Sequence, residues 1–462
     1  MAAIFPHDHS GENECFGQMK HKGLFCAQTA CLEYLLFIAY LVLFAWLVTR
    51  VRFFTRSGLT APQLVILFLL KVMAGIFYGW IGIYYGGLAQ MVDTWSYHTA
   101  SMAEYRLLWT DPAEYFTNLF RNPYDSGVSD FLSVKDSFWN DLKANFFIKV
   151  LSVFNVFSFG HYYVNVILYA FISLFGPIAL YRVMSDIYPG KKVPVLLATF
   201  LVPSFLYWTS GLHKEGLLFT GIALVVYSVY FTSKEKRMSI LRALSLLLGL
   251  GLILILRNFI LVIIVPALLA WVVAMRWPKK GLPIFAGLYV LFLLVFFTAR
   301  RLDPRLDFPQ AVVTRQQEFV KLIGSSSVPI RELQPTVSSF LKNTPQAIDL
   351  SILRPLPRDV RHILSLAAAL EVQLLLLMFV IFLLLKTGAP ADRNFIYFSL
   401  FFSGTLLLAI GFSVNNLGAI VRYRSVIIPF LVVPMVAQIN WSRVGQFFLG
   451  NIKNKNNINT SA

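Results

Sequence analysis

Residues 203–215 read PSFLYWTSGLHKE and lie between two apolar stretches of the chain. The segment ends with three adjacent ionisable residues, His213, Lys214 and Glu215. Charged side chains at the rim of a membrane are costly unless they face water, a partner or a substrate. The segment therefore predicts a turn between two membrane-spanning helices, and its charges are candidates for a functional site.

The composition of the whole chain agrees with a membrane protein. Of its 462 residues, 57% are hydrophobic and 14% are charged, whereas soluble chains carry about 25% charged residues. Apolar runs of span length recur along the sequence, which predicts an all-α, polytopic integral membrane bundle. The net charge of +17 does not indicate a nucleic-acid partner, because the basic residues lie mostly in short loops between the apolar runs.

About eleven transmembrane helices are predicted, at residues 32–48, 63–85, 161–184, 193–208, 216–231, 243–256, 259–275, 282–297, 366–385, 395–412 and 426–439. They form a transmembrane domain, 32–441, which follows an N-terminal polar segment, 1–31, and precedes a cytoplasmic disordered tail, 442–462. Two long outer loops, about 87–160 and 298–365, are expected to carry amphipathic helices.

The distribution of basic residues gives the orientation. With the loop at 50–56 in the cytoplasm, the cytoplasmic segments collect eighteen Lys and Arg residues. The short outer turns collect four, namely Lys214, Arg257, Arg422 and Arg424. This bias follows the positive-inside rule. It requires that the apolar run 145–160 does not cross the membrane, so we interpret that run as a helix in the interface.

The predicted outer face gathers residues suited to transfer from a phosphate-linked donor. A carboxylate can accept the proton of an attacking hydroxyl, and cations can neutralise a departing phosphate, for which the forked guanidinium of arginine is well matched. The candidate catalytic residues are Asp93, Glu215 and Glu371, and the candidate substrate- or phosphate-binding residues are Tyr97, His98, His213, Lys214, Arg257, Arg422 and Arg424.

Each of these residues also has a structural interpretation. Arg257 could be a hinge residue whose charge reaches the interface, and Glu371 could pair with an arginine of the preceding loop. His98 and His213 belong to a residue type that is more often structural than catalytic. Lys71 lies near the middle of a predicted span and needs a partner that the sequence does not identify.

The sequence assigns no metal site. Three cysteines precede the first span among several histidines, in a spacing that matches no strong zinc pattern; they are Cys15, Cys26 and Cys31, with His7, His9 and His21. A divalent cation is compatible with phosphate chemistry, but no residue pattern requires one.

Four segments resemble GT-C-like bacterial membrane glycosyltransferases and polysaccharide polymerases. They are RYRSVIIPFLVVPMVAQI at 422–439, DTWSYHTASMAEY at 93–105, PSFLYWTSGLHKEGLLF at 203–219 and PQAIDLSILRPLPRD at 345–359. The acidic residue follows the second predicted span, where such enzymes usually carry it after the first, and no adjacent pair of acidic residues stands there. No large C-terminal soluble domain follows, which argues against an oligosaccharyltransferase.

The resemblance implies an enzyme that uses polyprenyl-linked sugars in the bacterial inner (plasma) membrane. It would transfer a sugar or a repeat unit from a polyprenyl phosphate or diphosphate to a glycan or lipid-linked acceptor on the outer face, in contact with membrane lipids. Asp93 would serve as base or acceptor anchor, with the four outer Lys and Arg residues as a phosphate clamp. A lipid-linked oligosaccharide flippase or other transporter, and a non-catalytic assembly protein, remain alternatives.

Overall fold

The computed structural model describes residues 23–84, 93–124, 131, 137–322, 324, 326–387 and 392–446, with side chains from residue 33 onward. Its regular elements in these residues are all helical, and the extended pairing is limited to two isolated bridges. The N-terminal cysteines and histidines, and the tail from residue 447, lie outside the described side chains. The first helix begins at Gly23, inside the segment predicted to be polar.

The first ten helices are α1 (Gly23–Val48), α2 (Arg52–Thr55), α3 (Ala61–Tyr84), α4 (Asp93–Thr110), α5 (Pro112–Thr117), α6 (Phe138–Ser158), α7 (Tyr162–Ser173), α8 (Phe175–Ile187), α9 (Lys192–Phe200) and α10 (Pro203–Ser210). The other nine are α11 (Lys214–Glu235), α12 (Ile240–Arg276), α13 (Gly281–Thr298), α14 (Phe308–Lys321), α15 (Val337–Ile348), α16 (Ile363–Leu385), α17 (Arg393–Ser413), α18 (Leu417–Ser425) and α19 (Ile428–Ala437).

Seven helices in the described residues are long and apolar enough to cross a membrane: Ala61–Tyr84, Tyr162–Ile187, Lys214–Glu235, Ile240–Arg276, Pro278–Arg301, Ile363–Leu385 and Arg393–Ser413. The number rises to nine if each of two bent pairs is one span, namely α9 with α10 (bent by 53°) and α18 with α19 (62°). The multi-pass helical class is therefore confirmed, and the count of eleven stays a prediction.

Helix α12 reverses direction at Arg257, whose φ of −155° and ψ of 79° are not helical. Arg242, near its start, donates a hydrogen bond to the carbonyl of Phe231 over 3.3 Å. Trp271, near its end, stacks on the neighbouring Tyr230 ring with centroids 6.3 Å apart. A straight helix would separate residues 242 and 271 by about 43 Å, so the two arms must fold back on each other.

Helix α11 is the central element. Most of its residues are buried, and it packs against α8 and the first arm of α12. Gly221 and Gly249 permit close approach there, since a Cβ on Gly249 would lie 2.6 Å from the carbonyl oxygen of Gly221. Such small-residue contacts are typical of helix pairs in membranes. Helices α13 and α16 are mostly exposed apolar surface, which suits contact with lipid.

The predicted long loops contain helices that are not candidate spans. In the first loop, α4 packs against α6, which begins seven residues before the apolar run predicted for the interface. In the second, α14 and α15 both pack against α17. The placement of these helices in a membrane interface stays a prediction. Their importance lies in the side chains that α4, α6 and α14 bring to the site.

Candidate functional site

The site lies where the ends of several helices meet. Asp93 is the first residue of α4, His213 directly precedes α11, and Glu215 lies in the first turn of α11. Arg257 lies where α12 reverses direction, and Arg422 lies in the last turn of α18. The tight connection from α10 to α11 depends on Gly211, because any Cβ there would overlap the Tyr78 ring. We call Asp93, His213, Glu215, Arg257 and Arg422 the ionic network.

Asp93 forms the exposed edge of the ionic network. One carboxylate oxygen lies 3.0 Å from Nη1 of Arg422 and 3.5 Å from Nε2 of His213. The Asp93 side chain keeps 46% of its surface exposed, whereas that of His213 keeps 3%. Asp93 is therefore the network carboxylate that a molecule from solution meets first.

Glu215 is the buried centre of the network, with a side chain that is 0% exposed. It accepts a hydrogen bond from Nη2 of Arg257 over 2.6 Å, and Nε of Arg422 lies 3.5 Å away. Its second oxygen contacts Nδ1 of His213. A buried carboxylate is stable only when it is paired and hydrogen-bonded in this way, so Glu215 holds its neighbours in position.

Aromatic rings cover the cations of the site. The guanidinium of Arg257 lies 4.1 Å from the centre of the Tyr423 ring, and Arg422 lies 5.7 Å from the Trp208 ring. The Lys214 ammonium lies 4.8 Å from the Tyr97 ring. Cation–π contacts hold such groups in place without neutralising them. The cations consequently keep their charge available for an anion.

Two further cations lie within electrostatic range of the network, Lys143 from α6 and Arg315 from α14. Burial, followed by the charges of Arg315 and Arg257, lowers the pKa of Lys143 to about 8. Burial also lowers the pKa of Arg315. Among the described residues, neither they nor Lys214 has a carboxylate within 4 Å.

The site therefore carries an excess of positive charge. Five cations, namely Lys143, Lys214, Arg257, Arg315 and Arg422, stand against the two carboxylates Asp93 and Glu215. Counted over the described residues, the basic side chains of the site outnumber its carboxylates by three. Partly buried like charges repel one another, and a bound anion relieves that repulsion.

Asp93 and His213, which lie outside the candidate spans, have defined charge states at neutral pH. Burial raises the pKa of Asp93, but hydrogen bonds and charges from His213 and Arg422 outweigh it and hold the pKa well below its usual range. Burial lowers the pKa of His213 to about 3. Asp93 is thus ionised and His213 is neutral at pH 7.

A small cavity, with room for about one water molecule, adjoins the network. Three of its lining residues, Glu215, Arg257 and Tyr423, belong to the site. The others are apolar, namely Leu218, Phe259, Ile260, Leu406, Ile410 and Val426. The cavity thus joins charged groups to an apolar lining contributed by the helices α11, α12, α17 and the α18–α19 connection.

Seven of the ten residues singled out in the sequence lie together at this site, and Glu371 and Arg424 do not. Glu371 accepts hydrogen bonds from the backbone N–H and the hydroxyl of Ser204, each over 2.6 Å, at the start of α10. Arg424 donates to the carbonyls of Ser351 and Arg354, over 3.4 and 2.6 Å. Their contacts hold backbone segments in position.

His98 also lies apart from the network. Its ring packs edge-on against Trp95 and Tyr162, and within the described part of the chain its buried Nδ1 has no hydrogen-bond partner. Lys71, whose partner the sequence did not identify, donates to the carbonyl of Thr209 over 2.7 Å. It thereby fixes α10 against α3.

Sequence reasoning missed Tyr423, Lys143 and Arg315. Tyr423 lies between Arg422 and Arg424, which the sequence did single out, and that position could have marked Tyr423 as a site residue. Lys143 and Arg315 are single charges in long loops, where charge is unremarkable. Over the described residues, no group of three or more His, Cys, Asp and Glu is arranged to hold a metal ion.

The chain matches no family model, no curated protein and no solved structure with which it was compared. The resemblance to GT-C-like enzymes therefore stays a prediction.

Proposed function

We propose that this protein is a membrane glycosyltransferase or polysaccharide polymerase. It transfers a sugar or a repeat unit from a polyprenyl phosphate or diphosphate to an acceptor on the outer face of the bacterial plasma membrane. The observation that supports this most strongly is the cluster of basic side chains beside apolar residues of α11, α12 and α17, because a lipid-linked phosphate presents an anion joined to a hydrocarbon chain.

The cations are arranged for a phosphate group rather than for further ion pairs within the protein. Arg257 and Arg422 are held by carboxylates and aromatic rings, so their remaining N–H donors are oriented before a ligand arrives. Lys143, Lys214 and Arg315 supply the unbalanced charge. Donors fixed in advance stabilise the charge that develops on a leaving phosphate without a cost of reorganisation.

The excess of charge favours a diphosphate over a monophosphate donor. A diphosphate diester carries one more negative charge than a monophosphate diester, and in the described part of the chain three basic side chains of the site have no carboxylate within 4 Å. Arg315 and Lys143 come from the loop helices α14 and α6, so the two loops supply the additional charge. We therefore assign the polyprenyl diphosphate as the preferred carrier.

Apolar side chains beside the basic residues are suited to contact the first isoprene units of the carrier. Leu, Ile, Phe and Val side chains lie next to Glu215 and Arg257. Burial of hydrocarbon yields about 25 cal/mol per Å², so even a short length of chain contributes to affinity. The acceptor approaches from the exposed side of the network, where Asp93 is positioned to accept a hydrogen bond from its hydroxyl.

A second candidate, a flippase for lipid-linked oligosaccharides, is favoured by the broken helices around the site. The α9–α10 and α18–α19 pairs are bent by 53° and 62°, and α12 reverses at Arg257. Transporters commonly place substrate sites at such interruptions. Turnover distinguishes the two, since a flippase moves its substrate without breaking the bond between sugar and phosphate.

The test is sugar transfer by the purified protein in nanodiscs with polyprenyl diphosphate donors and a lipid-linked acceptor extract, without any ion gradient. We expect donor-dependent product with the wild type and loss of most product with Lys214→Ala and Arg422→Ala. The matched controls are Lys321→Ala and Arg300→Ala, whose side chains are largely exposed. Absence of product, with intact binding of the donor, would favour the flippase instead.

A further inference from the structure

His213 is held so that its two ring nitrogens face different groups. Nδ1 contacts the carboxylate of Glu215. Nε2 faces the exposed edge of the network, 3.5 Å from the carboxylate of Asp93 and 3.4 Å from Nη1 of Arg422. One nitrogen therefore points into the protein and the other toward the side from which an acceptor approaches.

Glu215 determines which nitrogen carries the proton. It is fully buried and already paired with Arg257, so it accepts hydrogen bonds and has none to give. The proton of a neutral imidazole then resides on Nδ1, and the lone pair on Nε2 faces the exposed edge, where Nη1 of Arg422 lies 3.4 Å away. A carboxylate that accepts a hydrogen bond from one imidazole nitrogen orients the other nitrogen to act as a general base.

Asp93 is less suited to take a proton. Its ion pair with Arg422, at 3.0 Å, stabilises the ionised carboxylate. Protonation of Asp93 would break that pair, whereas an imidazolium at His213 would lie between two carboxylates, with Arg422 beside it. A low basicity does not prevent Asp93 from accepting a hydrogen bond, which is all that an anchor requires.

We propose that His213, through Nε2, is the general base of the proposed transfer reaction, and that Asp93 anchors the acceptor. This inference rests on the proposed function. The acceptor oxygen forms a bond to the anomeric carbon of the donor as the bond between that carbon and the phosphate oxygen breaks. The electron pair leaves with the diphosphate, and the hydroxyl proton passes to Nε2 of His213.

The reaction leaves charges that the site can bear. The resulting imidazolium lies between Glu215 and Asp93. The carrier diphosphate faces the basic side chains of Lys143, Lys214, Arg257, Arg315 and Arg422. The proton returns to water through the exposed edge at Asp93.

The test compares His213→Gln with Asp93→Asn in single-turnover sugar transfer and donor binding. Glutamine can still donate to Glu215 but cannot accept the proton. We expect His213→Gln to bind the donor within about threefold of wild type and to transfer about 100- to 10,000-fold more slowly, the usual contribution of a general base. Asp93→Asn should raise the acceptor KM and slow the step less than about tenfold. His161→Gln, at the start of α7, is the matched control.

A second variant guards against an effect on folding. His213→Ala leaves space at the exposed edge, so added imidazole should restore transfer in proportion to its concentration. Near-normal transfer by His213→Gln, or loss of the chemical step in Asp93→Asn alone, would overturn the assignment. A wild type that binds the donor but never transfers it would overturn the proposed function, and this inference with it.

Discussion

Replacement of Glu215 by glutamine tests whether the ionic network holds the helix ends together. The substitution removes the buried charge that pairs with Arg257 while it keeps the size of the side chain. The side chains of the two residues are 0% and 10% exposed, and their nearest atoms are 2.6 Å apart. Removal of one partner from a buried ion pair costs about 3–5 kcal/mol, because the other charge stays buried and unpaired.

We expect the lower end of that range, about 3 kcal/mol, because Asp93 still neutralises Arg422, the other arginine beside Glu215. Arg257→Gln should cost a similar amount. The double variant should cost about 2 kcal/mol less than the sum of the two, because it leaves no unpaired charge at this position. Arg422 is present in all four proteins, so the cycle isolates the Glu215–Arg257 pair.

The assay is reversible unfolding of the purified protein by SDS in bicelles, followed by tryptophan fluorescence. Glu235→Gln is the matched control, because its ion pair with Arg242 is at the surface, with the Glu235 side chain 50% exposed, and should be worth less than about 1 kcal/mol. Single substitutions at Glu215 and Arg257 that cost no more than this control, or that add without coupling, would refute the argument.

Two further predictions concern packing and pH. Gly411→Ala should destabilise the protein by about 1–3 kcal/mol, because its Cβ would overlap the carbonyl of Ala347, whereas Gly404→Ala on the same helix meets nothing within 4 Å; equal effects on the free energy of unfolding would contradict this. The pKa of His213 falls from 6.5 to about 3 on folding, so stability should decrease as the pH is lowered between these values, by up to about 1.4 kcal/mol per unit. His213→Gln should flatten that slope in pH-dependent unfolding, and an unchanged slope would contradict the assignment.

The helical class and the central residues of the site followed from local sequence. The apolar runs predicted membrane helices, and charges at their ends marked the turns where Glu215, Arg257 and Arg422 meet. That reasoning works because a charge beside an apolar run is unfavourable unless it faces water, a partner or a substrate. The interruption at Arg257 was visible for the same reason, as a charge between two apolar arms.

Contacts between distant segments were not accessible in the same way. Lys71 is held by Thr209, 138 residues away, and no local pattern connects the two. Glu371 looked like a site residue because it is a carboxylate in an apolar run, yet it binds the start of α10 through Ser204. Periodicity and composition show that a buried charge needs a partner, but the tertiary fold determines which partner it finds.

Lys143 and Arg315 also could not be placed at the site from the sequence. Lys143 and Arg315 belong to different loops, and each reads as an ordinary solvated charge in its own segment. Only the packing of α6 and α14 around the network brings both near Arg257. Sequence reasoning therefore found Lys214, Arg257 and Arg422 and missed Lys143 and Arg315, whose place at the site depends on contacts between distant segments.

The most direct test of the central claim is equilibrium binding of a polyprenyl diphosphate and of the matching polyprenyl monophosphate to the purified protein in nanodiscs. We predict that the wild type binds the diphosphate more tightly. In Lys143→Ala and Arg315→Ala, the diphosphate affinity should fall about tenfold while the monophosphate affinity changes less, which corresponds to about 1.4 kcal/mol for each lost charge. Equal affinity for both lipids, unchanged in these variants, would contradict the claim that the surplus cations of this site bind the carrier phosphates.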